Sequence, residues 1–125
     1  TSTGAAKATA KALPEYKGRF DGAAVRTPVP CGSIADIVFV AERDTTVQEV
    51  NEILTEEAGA DRYRNVLGVT DEQLVSSDIL KDNRASIVDL SMTQVVDGDL
   101  IKIMSWYDNE WGYASQMVRE ALAER

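Results

Sequence analysis

Five residues combine a ligand-binding group with a position at the edge of a predicted element: Thr3, Gly4, Arg26, Asn109 and Tyr113. Thr3 offers a hydroxyl just before an alanine-rich stretch, and Gly4 lets a ligand come close to the backbone. The first N–H groups of the helix predicted there point outward with partial positive charge, which suits an anion. A Thr-Gly pair before a helix also serves as a plain cap. Arg26 is the only charge in Gly22-Ala23-Ala24-Val25-Arg26. Its guanidinium can grip a phosphate through two parallel bonds and stays protonated near neutral pH. The competing role is an ion pair with an acidic neighbour. Asn109 stands in Ser-Trp-Tyr-Asp-Asn-Glu-Trp-Gly-Tyr, residues 105–113, which holds both tryptophans and two of the four tyrosines. An amide both donates and accepts hydrogen bonds, and the aromatic side chains around it, Tyr113 included, can wall a pocket. Asp108 and Asn109 both sit where a cap for the following helix belongs. The charge of Asp108 suits the positive end of that helix, which leaves Asn109 free to turn toward a ligand.

The single cysteine, Cys31, invites assignment as a nucleophile. The chain has no histidine, so a base-activated Cys–His pair cannot form within it. Cys31 is read instead as a small, buried apolar side chain.

The elements that must position these groups follow from pattern. Residues 1–13 read as a helix capped by Thr3 or Ser2 and ended by Pro14. Gly22–Arg26 reads as a short strand closed by Pro28 and Pro30. Ile34–Ala41 is nearly continuous in apolar residues and reads as a central strand. Asp36 within it must face outward or pair with a cation. Thr46-Val47-Gln48-Glu49 is a capping box. The helix behind it places Val47, Val50, Ile53, Leu54 and Ala58 on one buried face and stops at Gly59. Asn65–Val69 is a short strand. Ala85–Val96 and Leu100–Trp106 form a hairpin about Asp97-Gly98, which supplies the positive φ angles of a tight turn. On its first strand Val88, Leu90 and Met92 share one face, opposite Asp89, Ser91 and Thr93. From about Asn109 a final helix runs with Trp111, Ala114, Val118, Ala121 and Leu122 at helical spacing. The strand-to-helix junction before it lies at the carboxyl end of a strand, where α/β proteins build ligand sites.

At 125 residues with 44% hydrophobic content, the chain is one domain with a real core. A net charge of −8 disfavours nucleic acid and anionic membrane surfaces as partners. No apolar run reaches the length of a membrane span. One cysteine excludes an internal disulfide framework. With no secretory pattern at the first residue, this points to the cytoplasm. The acidic, lysine-poor composition fits plain solubility by charge as well as a salt-rich source.

Four motifs in order carry a family resemblance over nearly the whole chain: residues 1–8 (Thr-Ser-Thr-Gly-Ala-Ala-Lys-Ala), 25–30 (Val-Arg-Thr-Pro-Val-Pro), 74–78 (Leu-Val-Ser-Ser-Asp) and 105–113. Together they resemble the C-terminal part of phosphorylating glyceraldehyde-3-phosphate dehydrogenase. The resemblance implies an enzyme that forms a thiohemiacetal on cysteine and passes hydride to NAD or NADP. Inorganic phosphate then cleaves the thioester to give 1,3-bisphosphoglycerate. It assigns Thr3, Gly4 and Arg26 to phosphate groups and Asn109 and Tyr113 to the nicotinamide. It places no catalytic residue on this chain, because the family's nucleophile sits in a Ser-Cys-Thr-Thr-Asn motif that is absent. It also implies a homotetramer built on the broad sheet face. The expected fold is α+β: a mixed, mostly antiparallel sheet carries helices mainly on one face. The N-terminal helix and the one after Thr46 should pack on the sheet. Residues 1–125 are then a C-terminal domain portion, with 109–125 its last helix docking on a nucleotide-binding domain for which this chain has no Gly-rich fingerprint. Two other classes stay open, a non-catalytic assembly module and a related aldehyde-phosphate dehydrogenase.

Overall fold

The computed structural model describes residues 3–123. Four strands form one sheet in the order β1-β4-β3-β2, where β1 is Ser33–Val40, β2 Leu67–Thr70, β3 Ser86–Val96 and β4 Leu100–Tyr107. β1 and β3 run antiparallel to β4, while β2 runs parallel to β3. The sheet is mixed and mostly antiparallel, as the sequence predicts.

The hairpin turns at Asp97 and Gly98, with φ of 54° and 83°. At this turn Asp99 O accepts the Ala41 N–H and Gly98 O accepts the Thr45 N–H, each at 2.8 Å. That fixes the connection out of β1 against the hairpin.

Helix α2, Val47–Gly59, lies on one side of the sheet. Thr46 accepts the Glu49 N–H at 3.1 Å, so half of the predicted capping box forms. The other half does not. The Glu49 carboxylate turns to the Arg43 guanidinium, at 2.5 and 3.2 Å, and to the Thr45 hydroxyl at 2.7 Å. A charged fork outcompetes a backbone N–H for the same oxygens. The predicted buried face is only partly buried. Val50 is in the core and Leu54 and Ala58 are half-buried, whereas Val47 and Ile53 are exposed. Ile53 looks into an open groove that it lines with Phe39, Ile101 and Ile103.

Four expectations fail here. Ile34–Ala41 forms a strand, but at the sheet edge, with Val38 57% and Val40 67% exposed. Continuous apolar character reports how many faces a strand can bury, not which neighbours it has. Gly22–Arg26 is not among the strands of the sheet and has no regular secondary structure. Helix α1, Ala5–Ala12, contacts chiefly the 3-10 turn Pro14–Tyr16 rather than the sheet. Its apolar side chains are all methyl groups, too small to repay docking. On β3, pairing shifts between Asp89 and Gln94, so Val88 and Val95 look toward α2 while Asp89 and Gln94 look away. Alternation therefore does not run through: Met92 is exposed and Thr93 buried. A bulge of this kind reverses the faces of everything beyond it.

Asp36 faces the side away from α2 and pairs with Lys102 at 3.0 Å, the cation-paired option. Among the described residues, Val50, Ile79, Ile87, Val88 and Ile101 form the buried apolar core.

Candidate functional site at the β4–α3 junction

Helix α3, Trp111–Ala123, starts two residues after the expected Asn109. Asp108 is the reason. One carboxylate oxygen accepts the N–H groups of Glu110 at 3.0 Å and Trp111 at 2.7 Å. The other accepts the Lys81 N–H at 2.9 Å. These bonds, that of Lys81 foremost, hold the Asp108 carboxyl below its ordinary pKa against the opposing effect of burial. The first turn of α3 is thereby pinned to the turn at 81, and capping falls to Asp108 rather than to Asn109.

Asn109 is free for other contacts. Its Oδ1 accepts the Ser33 hydroxyl at 2.7 Å. The antiparallel register pairs Ser33 with Tyr107, which brings the first residue of β1 within reach of the residue two beyond β4's end. Among the described residues, Asn109 Nδ2 forms no hydrogen bond. Tyr113 lies on the first turn of α3 and is 69% exposed.

Four further contacts brace the junction. Trp111 Nε1 and the Ser115 hydroxyl both donate to Asn83 Oδ1, at 2.6 and 3.1 Å. Gly112 packs so closely that a Cβ there would sit 2.9 Å from the Arg84 carbonyl oxygen. Gly32, at φ +90°, leaves 2.8 Å between a notional Cβ and the Ser76 carbonyl. The predicted motif at 74–78 therefore abuts the loop that feeds β1.

Cys31 is half-buried, and its thiol donates to Glu110 Oε2 at 3.5 Å. It is thus not a purely apolar side chain. Desolvation first, then the bond to Glu110, raises its pKa, so it is a protonated thiol and a poor nucleophile near neutral pH. One ligand atom each from Cys31, Asp108 and Glu110 lie within 4.8 Å of one another. The Asp108 oxygens of this group are already engaged by three backbone N–H groups.

The phosphate candidates are Thr3, Gly4 and Arg26. Gly4 is the N-cap of α1 with φ −82°, and Thr3 Oγ1 accepts the Ala5 N–H at 3.2 Å. Ser2, the alternative cap, lies outside the described residues. A Cβ on Gly4 would meet nothing within 4 Å, so neither φ nor packing calls for glycine there. Arg26 is exposed and forms no ion pair among the described residues. No hydrogen bond or ion pair among them joins Arg26 to Thr3 or Gly4, or any of the three to Asn109 or Tyr113.

Ser33 was not legible as a site residue. Only the strand register brings it to Asn109, across 76 residues of sequence. Lys81 and Asn83 reach the junction from a turn, 27 and 28 residues from their partners Asp108 and Trp111.

The fold and junction define an α+β domain whose last helix is anchored through the acidic residue of a strand-to-helix turn. The family description that matches residues 1–109 is glyceraldehyde 3-phosphate dehydrogenase, C-terminal domain, and the chain belongs to that family. It is 49% identical over 123 residues to glyceraldehyde-3-phosphate dehydrogenase from Cereibacter sphaeroides, covering 98% of this chain and 37% of the relative. The enzyme of the same name from Zymomonas mobilis is 47% identical over 121 residues, 97% of this chain and 36% of the relative. That from Streptomyces coelicolor is 46% identical over 118 residues, 94% and 35%. The chain thus spans little more than a third of the length of these relatives. Among the described residues, no helix is long and apolar enough to cross a membrane.

Proposed function

We propose that this chain is the C-terminal part of a cytoplasmic glycolytic dehydrogenase. The whole enzyme oxidises glyceraldehyde 3-phosphate with NAD or NADP and takes up inorganic phosphate to form 1,3-bisphosphoglycerate. The relatives are glyceraldehyde-3-phosphate dehydrogenases by name, which supports the substrate and a nicotinamide cofactor as hydride acceptor. The observation that carries the cofactor reading is the Asn109 amide, whose oxygen is engaged by Ser33 while its NH₂ group has no partner among the described residues. That donor fits the carbonyl oxygen of a nicotinamide carboxamide. The exposed ring of Tyr113, one helical turn on, fits a flat heterocycle.

Thr3, Gly4 and Arg26 hold phosphate groups in this reading. The Thr3 hydroxyl hydrogen remains available as a donor. The start of α1 carries no acidic residue in its first turn to repel an anion. A glycine required by neither conformation nor packing suits close approach of a ligand. Arg26 supplies a charged fork without an ion-pair partner among the described residues. The nucleophile, the base and most of the cofactor site belong to sequence outside these 125 residues, so the chain alone is inactive.

Assembly belongs to the same proposal. The sheet side away from α2 exposes Ile34, Val38, Val40, Val96 and Leu100, and α3 exposes Trp111, Val118 and Leu122. The first surface suits a homotetramer contact and the second a nucleotide-binding domain.

The experiment is steady-state kinetics and cofactor binding in the full-length enzyme. Arg26→Ala lowers phosphate use roughly ten- to hundredfold, as loss of a charge-assisted contact worth about 1.5–3 kcal/mol requires, and Arg26→Lys restores only part of it. Asn109→Asp raises the cofactor Kd at little cost in thermal stability. Unchanged phosphate kinetics in both Arg26 variants together with unchanged cofactor binding in Asn109→Asp would remove these residues from the site.

A further inference from the structure

We propose that Ser33 is the positioning residue for Asn109: its hydroxyl holds the amide with oxygen inward and NH₂ outward. The inference rests on the reading of Asn109 as the nicotinamide contact, and it assigns a residue that reading does not include. An amide is nearly symmetric in shape but opposite in hydrogen-bonding sense at its two ends, so a site that uses one end must fix which end is presented. Capping cannot do this, because Asp108 takes the Glu110 and Trp111 N–H groups. Among the described residues, the one side chain hydrogen-bonded to the Asn109 amide is Ser33, whose Oγ donates to Oδ1 at 2.7 Å.

The placement of Ser33 is built into the sheet. It is the first residue of β1 and pairs with Tyr107 at the last rung of the β1–β4 ladder. Behind it, Gly32 is buried, at φ +90°, with the Ser76 carbonyl close against its Cα. That packing fixes the backbone from which the Ser33 side chain reaches out. On the other side, Asp108 is buried and tied to Lys81. Both ends of the Ser33–Asn109 bond therefore start from held backbone, and little entropy is lost in making it. β1 thus acts on the junction through its first side chain, although the strand lies at the sheet edge.

A hydroxyl can accept as well as donate, and in that arrangement Asn109 would present its oxygen instead. The two arrangements read different cofactor groups. An outward NH₂ binds the carboxamide carbonyl, which is kept when the carboxamide is replaced by an acetyl group. An outward oxygen needs the carboxamide NH₂, which the acetyl analogue lacks.

The test measures dissociation constants for NAD and its 3-acetylpyridine analogue in the full-length enzyme. The variants are Ser33→Ala, Ser33→Thr, Asn109→Ala and the Ser33→Ala/Asn109→Ala double mutant. The wild type is expected to bind the two dinucleotides within about threefold of each other. Ser33→Ala should weaken binding about three- to tenfold, the scale of one hydrogen bond, and raise KM for the cofactor more than it lowers kcat. Ser33→Thr keeps the hydroxyl and should restore affinity. In the double mutant, loss of Ser33 should add nothing to loss of Asn109. A merely structural serine would lower the melting temperature and leave these affinities unmoved. If Asn109→Ala weakens binding but Ser33→Ala does not, the Ser33 assignment falls and the cofactor reading stands. If Asn109→Ala binds normally, the cofactor reading itself falls. A wild type that rejects the acetyl analogue more than tenfold would show that the amide presents its oxygen, which overturns the proposed orientation.

Discussion

Replacing Asp108 with alanine removes the tie between the sheet, the turn at 81 and the last helix at once. Two N–H groups at the start of α3 lose their acceptor, a loss of about 0.5–2 kcal/mol for a helix cap. The Lys81 N–H, in a part-buried setting, loses its acceptor as well, which costs about 1–3 kcal/mol. Both losses come from one side chain, and together they amount to about 1.5–5 kcal/mol. For a chain of this length that is a fall of roughly 10 °C in melting temperature. Asp108→Asn should lose less, about 1–2 kcal/mol, because one oxygen can still cap while the NH₂ group meets the Lys81 donor head-on. Thermal unfolding followed by far-UV circular dichroism reads all three proteins. The acid side gives a second check. The folded carboxyl is held below its ordinary pKa, so its contribution is complete above the unfolded value of about 3.9 and is lost as pH falls toward the folded pKa. The gap between wild type and Asp108→Ala should therefore narrow below about pH 4. An alanine variant within about 0.5 kcal/mol of wild type at pH 7, with no narrowing in acid, would refute the reasoning.

Gly112→Ala sets two effects against each other. Alanine favours a helix by about 1 kcal/mol, but the added Cβ lies 2.9 Å from a backbone oxygen that cannot swing aside, and overpacking costs about 1–3 kcal/mol. The expected net is destabilising by about 1 kcal/mol in urea denaturation, and a more stable variant would show that α3 is free to slide off residues 82–84. The Glu49 carboxyl is lowered to about 2, chiefly by the Arg43 side chain and then by Thr45. Its contribution is present above its ordinary 4.5 and disappears as pH falls from there toward about 2. An NMR titration of the Glu49 side chain should show this depressed midpoint, and Arg43→Ala should move it back up; an unmoved midpoint would discard the Arg43 contact as its cause.

Much of the local structure was legible because its causes are local. Asp97-Gly98 dictates a turn by backbone conformation, Thr46 offers an acceptor three residues from an N–H, and the spacing of Val50, Leu54 and Ala58 describes one side of a helix whatever lies opposite. The residues of the strand-to-helix junction were legible too, because the pattern changes from strand-like to helical period within 105–113.

What the sequence could not reveal depends on groups distant along the chain. The apolar run in β1 states that both faces can be buried, but its place at the edge depends on which strands pair. The bulge in β3 leaves no trace in an alternation that looks regular from Val88 to Thr93. At the junction, the charge of Asp108 marked it as the cap, but nothing local showed that its second oxygen meets the Lys81 N–H, 27 residues away. Ser33 met Asn109 because an antiparallel register put the start of one strand beside the end of another. Local patterns thus determined which residues stand at the site, whereas the pairing of strands decided which of them touch.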